Sequence, residues 1–563
     1  MNITAFNGLL EDASKCYNDL NYETALEKVN EALAFDKTSK QARELKACIL
    51  IESWDGSNQT QAQIMEAISH LNALIREDPD NKWNSLANIG NAYLKLAQSQ
   101  SITRRHNLNS EAIDDLMKAK DFYNESLELN EDQPQIWINK GNILDYIGRH
   151  LEAIESYDKA LIINDNHYNA WGNRGICCWT LSNLVKNEAD KRLLYAHAMK
   201  YIGIELMLYP DFLISEELKV NVKKFLSKHK IKTDLKNTIK EQLPKKKTLL
   251  DEDFNLYETS ELSFEKFFYE FCERENFFLN LHFDCNNCGS SHLDLIEFSF
   301  TTAIDEHKQD YKFFKRLYNI LDGYTTARFL LALAQYRGKD FLFLDKQRYE
   351  PDYSLNYIHN VELLKESFTI IVGICDKIAF FLKDYERLTR KDGKEIDDKS
   401  VSFWSPNSIF TVTDILDKNK YQADLVAMDT IRKDFEKGEF RNLRMVRDFL
   451  VHRYYILHDI IDPTKLTYPY DPKMEPLDDL EYHGDIGNFY IITKKSLRLM
   501  RNLLFSLSFF VQYKESPKES KIKGPVAKMY WSYTPENENM RLRLRPQSLP
   551  KPFPIDMWIK CLT

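Results

Sequence analysis

Small and aromatic residues recur at an interval of 34 positions in the N-terminal third of the chain. The interval is clearest where Trp137 and Gly141 are followed by Trp171 and Gly175. Apolar spacings of three and four residues predict two amphipathic helices in each unit. Small side chains let paired helices approach closely, and large ones fill the space between successive pairs. A period of this length therefore predicts stacked helical hairpins. The other small or aromatic positions of the clearest unit are Gly148, Ala153, Tyr157 and Ala160.

Less regular copies flank this unit and extend the array over residues 1–212. Their marker positions are Ala13, Leu20, Ala25, Val29 and Ala32 in the first copy, Ala47, Ala67, Leu71, Leu74 and Pro79 in the second, Gly90, Tyr93, Ala119 and Tyr123 in the third, and Ala198, Ile202 and Pro210 in the last. The units resemble tetratricopeptide repeats. This resemblance implies a superhelix whose concave face binds a protein or peptide of unknown identity. A spacer or dimerisation scaffold is the alternative.

The apolar periodicity fades from Lys228 to Lys247, and lysines accumulate there. We place a basic linker at residues 213–258, most simply a solvated connector, with nonspecific contact to RNA phosphates as the alternative. Beyond it, long apolar patterns predict a helical bundle over residues 259–515, and hence an all-α fold class. The predicted helices lie near residues 306–335, 359–388, 421–436, 439–461 and 491–514. Residues 516–563 form a C-terminal extension to which we assign no chemistry.

The helix predicted at residues 439–461 carries two stripes. The apolar stripe, which should face the bundle core, comprises Leu443, Val446, Leu450, Tyr454, Leu457 and Ile461. The polar stripe on nearly the opposite side comprises Asp448, His452, Tyr455 and Asp459, with Arg441 and Arg444 on the same general face. Asp448 precedes His452 by one turn, where a carboxylate can bond to the imidazole and fix its tautomer. From these positions alone, a solvated face with an incidental ion pair is the simpler interpretation.

The segment RDFLVH, from Arg447 to His452, resembles the motif of HEPN-domain ribonucleases, in which an arginine and a polar residue precede a histidine. It lies in a late helix after two long apolar ones, as in that family. Three further segments, FCERENFFLN, TTARFLLALAQ and GICDKIAFFL, extend the resemblance over residues 260–460 to a HEPN group that is fused to tetratricopeptide repeats. Arg453 and His458 repeat the spacing, but Tyr454 replaces the polar follower.

The resemblance implies a HEPN-like helical bundle that cleaves single-stranded RNA without a metal or cofactor. His452 would exchange a proton with the 2′-hydroxyl or the leaving 5′-oxygen. Arg447 would stabilise the charged phosphorane, and Asp448 would orient the imidazole. The products would be a 2′,3′-cyclic phosphate and a 5′-hydroxyl end. The residues implied in RNA binding are Arg441, Arg444 and Tyr455.

The resemblance also implies a homodimer, because the motif helices of these nucleases typically face each other across a two-fold axis. Two copies of Arg447 and His452 would then line one basic cleft. Members of the family often act as toxins or antiviral defence effectors, and the repeat array would regulate such an effector. A non-catalytic adaptor or scaffold with the same two domains is the alternative.

The composition of the chain limits the kinds of fold, binding partner and cellular location that it can have. The net charge of -9 gives no overall attraction to nucleic acid, so RNA binding requires a local basic site. With 17 Gly and 17 Pro, the chain has few turn formers for a sandwich or barrel. Nine scattered cysteines and no apparent secretory signal predict a cytoplasmic protein. The most apolar stretch, Leu503 to Val511, is about half a membrane span, so no membrane contact is expected.

One cysteine pair raises the question of a metal. Cys285 and Cys288 have the spacing of half a zinc site, and Cys272 and His292 lie close in the sequence. No second pair completes a ligand set, so we interpret the two cysteines as free and predict no metal site. Neither HExxH nor GxxxxGK[ST] occurs, which disfavours a metal-dependent nuclease or phosphohydrolase.

Overall fold

The computed structural model describes residues 3–54, 61–80, 82–100, 108–210, 215–228, 262–282, 291–303, 307–336, 347–349, 355–437, 443–452, 454–458, 481–519 and 526–530. The chain divides into two compact units. Unit 1 comprises Met1–Trp179, His197–Pro244 and Lys420–Ala423, and unit 2 comprises Thr180–Ala196, Lys245–Asn419 and Asp424–Thr563. The described residues are predominantly helical, so the all-α fold class is confirmed.

The N-terminal helices form successive hairpins followed by one further helix. Their bounds are α1 Ile3–Asn18, α2 Tyr22–Phe35, α3 Lys40–Glu52, α4 Gln61–Glu77, α5 Trp83–Ser99, α6 Ser110–Leu129, α7 Pro134–Tyr146, α8 His150–Ile163, α9 Tyr168–Leu184, α10 Glu188–Leu208 and α11 Glu216–Lys228. Side chains of Asn21, Ser39 and Asn109 accept backbone hydrogen bonds at the starts of α2, α3 and α6. The predicted helical hairpins are therefore present.

Glycine allows the closest contacts within these hairpins. A Cβ atom at Gly141 would lie 2.5 Å from the ring of Tyr157, and one at Gly90 would lie 2.6 Å from the ring of Tyr123. Both tyrosines are fully buried, and the Tyr157 hydroxyl donates to Asn142 at 2.9 Å. The repeated small and aromatic positions thus mark one packing contact that recurs along the array.

We expect Gly141→Ala to destabilise unit 1 by about 1–3 kcal/mol, because the Tyr157 ring must move or leave its rotamer. Gly8→Ala is the matched control, since a Cβ atom there meets nothing within 4 Å. That control should be neutral or stabilising by up to about 1 kcal/mol through helix propensity. Thermal unfolding followed by circular dichroism measures both. Equal midpoints for the two variants would contradict the packing argument.

Unit 2 combines long helices with three two-stranded ladders. Its further elements are α12 Phe264–Arg274, β1 Ser299–Ala303, α13 His307–Gln335, β2 Gln347–Tyr349, β3 Leu355–Tyr357, α14 Ile358–Tyr385, α15 Ile409–Val412, α16 Ile415–Lys418, α17 Ala423–Phe435, α18 Leu443–His452, β4 Tyr454–His458, β5 Glu481–Asp485, α19 Ile486–Glu519 and β6 Val526–Tyr530, with a short 3₁₀ turn at Asp398–Ser400. Strands β1 and β6 pair antiparallel, as do β2 and β3, whereas β4 and β5 pair parallel.

The core of unit 2 lies between α13, α14 and α19, which pack against one another. Phe313 of α13 contacts Phe381 of α14, and Ser367 Oγ donates to the carbonyl of Ala327 at 2.8 Å, so the two helices run antiparallel. The helices predicted at 306–335, 359–388 and 421–436 correspond to α13, α14 and α17. The helix predicted at 491–514 is longer than expected and covers Ile486–Glu519.

The helix predicted at 439–461 is wrong beyond residue 452. Helix α18 ends at His452, and Tyr454 begins β4, which pairs in parallel register with β5 so that Ile456 lies opposite His483. Aromatic and β-branched residues favour a strand here once a partner strand is present. Tyr454 and Leu457 therefore do not continue the apolar stripe of the helix. Leu457 is nevertheless buried, as the stripe required.

Candidate functional site

The helix that carries the motif is amphipathic. Helix α18 packs against α14, β4 and β5. Val446, a member of the predicted apolar stripe, is buried, whereas Met445 is exposed. This one-sided burial keeps α18 on the body of unit 2 and leaves its other side accessible.

Arg447 and Asp448 lie next to each other on the accessible part of α18. Arg447 Nη1 donates a hydrogen bond to Asp448 Oδ1 at 3.1 Å. Their side chains are 34% and 49% exposed. An ion pair this exposed contributes little to stability, about 0–1 kcal/mol. The two charges therefore contribute little to the stability of the fold, and both remain accessible to a ligand.

His452 is the last residue of α18. At a rise of about 1.5 Å per residue, the backbones of Arg447 and His452 are about 7.5 Å apart along the helix axis. The long arginine side chain can span that distance toward a phosphate bound between the two positions. The side chain of His452 lies outside the described part of the structure. Its predicted bond to Asp448 therefore stays a prediction.

The predicted RNA-binding residues have different positions. Arg444 lies on α18, although its side chain is outside the described part, and Arg441 is not among the described residues. Tyr455 belongs to β4 and not to the motif helix. Its predicted place on one helix face with His452 is therefore wrong, because the helix ends before it. Among the described side chains, the structure brings together Arg447 and Asp448.

The cysteine group near residue 285 is only partly described. Cys285 and Cys288 lie outside the described residues. Cys272 is fully buried on α12, and burial raises the pKa of its thiol to about 12. The ring of His292 is 41% exposed, and its Nε2 lies 3.1 Å from Glu273 Oε2. Cys272 and His292 thus occupy different environments, one a dry core and the other the surface.

A buried ion pair that the sequence analysis missed supports this unit. Arg328 of α13 donates to both carboxylate oxygens of Asp294 at 2.7 Å, and its Nη1 also donates to the carbonyl of Phe277 at 3.1 Å. Asp294 Oδ1 accepts a further bond from the backbone N–H of Leu279 at 2.7 Å. Burial opposes the charge of Arg328, but Asp294 outweighs it, and the pKa of the guanidinium is raised. The pair holds Phe277, Leu279 and Asp294, which belong to the described residues of the segment between α12 and β1, against α13.

Helix α19 holds the same segment through two further arginines. Arg501 donates to the carbonyls of Phe278 and Asn280 at 2.8 and 2.7 Å, and Arg498 donates to the carboxylate of Glu275. The Arg501 bonds give two backbone carbonyls hydrogen-bond donors. Together these bonds join α19 to residues 275–280.

Two parts of the chain match known protein families. Residues 304–514 match the family of LA2681-like HEPN domains, and residues 134–167 match a tetratricopeptide repeat. The chain therefore contains a HEPN-like domain that includes α18, and tetratricopeptide repeats precede it, as the sequence predicted.

Solved structures of repeat proteins resemble the N-terminal part. A tetratricopeptide-repeat protein of Thermus thermophilus is 15% identical, with a TM-score of 0.29, and the match covers 39% of this chain and 99% of that one. The MamA protein is 16% identical over 38% of this chain and 98% of its own, with a TM-score of 0.23. YrrB, described as having an unusual peptide-binding site, is 16% identical over 38% of this chain and 90% of its own, with a TM-score of 0.23. None of the curated proteins matches the chain.

Within the residues that the structure describes, no helix combines the length and the apolar character that a bilayer crossing requires.

Proposed function

We propose that the protein is a metal-independent endoribonuclease that cleaves single-stranded RNA at the exposed side of α18. The observation that carries the proposal is the accessible Arg447–Asp448 pair, five and four residues before His452, on a helix inside the HEPN-like domain. In phosphodiester transfer to a 2′-hydroxyl, an imidazole can transfer the protons, a guanidinium can stabilise the developing charge and a carboxylate can orient the imidazole.

In the proposed reaction, His452 removes the proton of the RNA 2′-hydroxyl, and the 2′-oxygen attacks the adjacent phosphorus. The Arg447 guanidinium gives up part of its interaction with Asp448 and stabilises the additional negative charge on the phosphorane. The bond from phosphorus to the 5′-oxygen then breaks, and a protonated imidazole returns a proton to that oxygen. The step consumes no water, and it yields a 2′,3′-cyclic phosphate and a 5′-hydroxyl end.

The acid and the base of this reaction come most simply from two copies of His452. Helix α18 buries Val446 within its own unit, whereas Met445, Arg447 and Asp448 remain accessible to a second subunit. A homodimer through this surface would enclose both imidazoles and concentrate positive charge in an otherwise acidic protein. We further propose that the repeat array binds a protein or peptide that controls the nuclease, in a toxin or antiviral defence role.

A cleavage assay in excess EDTA tests the proposed chemistry. We expect the purified full chain to cut single-stranded RNA as fast with EDTA as with added magnesium, and to leave cyclic phosphate ends. A cyclic phosphate end resists phosphatase until acid opens it, which allows it to be identified by gel mobility. Cleavage that needs magnesium, or that leaves a 3′-hydroxyl end, would contradict the mechanism. If neither condition gives cleavage, the non-catalytic adaptor becomes the better interpretation.

A further inference from the structure

Three ionisable side chains meet inside the repeat array, far along the sequence from the motif helix. Asp145 lies on α7, His150 is the first residue of α8, and Cys177 lies on α9. All three belong to unit 1. Asp145 and Cys177 are 0% exposed and His150 is 2% exposed, so the cluster is closed to bulk solvent.

The three side chains are close enough together to ligate one ion. One ligand atom from each residue lies within 4.8 Å of the other two. His150 Nδ1 and Asp145 Oδ1 are 2.7 Å apart, and Cys177 Sγ lies 3.5 Å from the same Oδ1. The carbonyl oxygen of His150, 3.2 Å from Cys177 Sγ, is a further oxygen within reach.

The charges of the cluster fit a divalent cation. His150 Nδ1 is the ring nitrogen that faces the Asp145 carboxylate. A neutral ring with its proton on Nε2 would offer the Nδ1 lone pair to a metal. A carboxylate from Asp145 and a thiolate from Cys177 carry two negative charges. One divalent ion would neutralise them in a site that water does not reach.

We propose that Asp145, His150 and Cys177 bind a zinc ion that joins α7, α8 and α9. Tetrahedral zinc with bonds of about 2.3 Å to sulfur and 2.0–2.1 Å to nitrogen or oxygen places sulfur about 3.5 Å from oxygen, which the Cys177–Asp145 separation already matches. The same geometry requires about 3.3 Å between nitrogen and oxygen. The imidazole and carboxylate must therefore separate by about 0.6 Å.

Zinc binding displaces the Cys177 thiol proton to the buffer, and no electron is transferred. The ion would link the fourth hairpin, α7 and α8, to the helix that follows it, and would stabilise the array when bound. The site is separate from the proposed nuclease chemistry, which uses no metal, so the two proposals can fail independently.

Metal binding by the full chain tests this inference. The background variant is Cys285→Ser with Cys288→Ser, which removes the other cysteine pair. After chelator treatment, incubation with zinc and desalting, we expect this variant to retain about one zinc per chain by elemental analysis. Adding Cys177→Ala should remove most of that zinc, whereas Cys178→Ala, at the buried neighbour, should leave it. Zinc should also raise the Tm of the Cys178→Ala variant by several degrees and leave the Tm of the Cys177→Ala variant unchanged.

Cobalt provides a measurement on the background variant alone, so the result does not depend on whether the Cys177→Ala variant folds. Cobalt bound to the background variant should give a thiolate-to-metal charge-transfer band in the near ultraviolet, because Cys177 supplies sulfur. Absence of that band together with absence of retained zinc would overturn the proposal. Zinc that survives Cys177→Ala in full would also overturn it, since the ion would then be held elsewhere.

Discussion

Replacing His452 by alanine is expected to lower the rate of RNA cleavage by at least 10²-fold and by up to about 10⁴-fold. The imidazole is proposed both to take the 2′-hydroxyl proton and to return a proton to the 5′-oxygen, and the sequence of α18 contains one histidine, His452. RNA binding should change much less, because phosphate contacts come mainly from arginines. Single-turnover cleavage and a separate binding measurement distinguish the two effects.

The chain supplies its own matched control for this experiment. Arg453 and His458 have the spacing of the motif, but His458 lies in β4 and not on a helix. His458→Ala should therefore leave cleavage within about twofold of the unmodified chain. Should His452→Ala retain full activity, or should His458→Ala abolish it, the motif helix would not be the catalytic element.

Replacing Asp294 by asparagine is expected to lower the free energy of unfolding of unit 2 by about 3–5 kcal/mol. The change leaves the Arg328 guanidinium, which is 5% exposed, without its counter-charge. An asparagine oxygen can still accept from Leu279, but it cannot accept both arginine donors as a carboxylate does. Because the chain has two units, hydrogen exchange of the α13 amides isolates the effect better than one global melt.

Asp384→Asn is the matched control for that prediction. Asp384 pairs with Lys312 at 2.9 Å and with Arg316 at 2.5 Å, but its side chain is 28% exposed. Solvent screens such a pair, so its loss should cost less than about 1 kcal/mol. Equal changes in the hydrogen exchange of the α13 amides for the two variants would mean that burial does not determine how much the Asp294–Arg328 pair stabilises unit 2.

Most of the helical architecture could be predicted because its signals are local. In the first hairpin, the three spaced positions Ala25, Val29 and Ala32 are all fully buried. The close approach of a hairpin at Gly141 depends on residues only 16 positions apart, so one repeat unit contains both partners. The long apolar runs of α13 and α14 exceed any strand length, which removes the ambiguity between helix and strand.

The end of the motif helix could not be predicted in this way. Residues 454–458 are aromatic or aliphatic and suit either a helix or a strand, and Leu457 is buried in both interpretations. The deciding factor is β5, a partner more than twenty residues away with no apolar run of its own. Continuing the helical period past residue 452 therefore placed Tyr455 on the same face as His452, although the helix ends at His452.

The buried polar groups, the Asp294–Arg328 pair and the cluster of Asp145, His150 and Cys177, are indicated only weakly by the sequence. Arg328 is a single charge inside the apolar run TTARFLLALAQ, and Asp145 directly follows the apolar pair Ile143 and Leu144 near the end of α7. Such charges indicate a buried partner without identifying it, since Asp294 lies 34 residues from Arg328 and Cys177 lies 32 residues from Asp145. Only tertiary contacts bring these groups together.

The parallel ladder of β4 and β5 has a consequence for how this chain can vary. The ladder joins the strand that follows His452 to the strand that leads directly into α19. It is held by backbone hydrogen bonds and not by particular side chains. Mutation can therefore exchange most residue types along these two strands and still leave the end of α18 tethered. Proline is the exception, because it removes the amide hydrogen on which the tether depends.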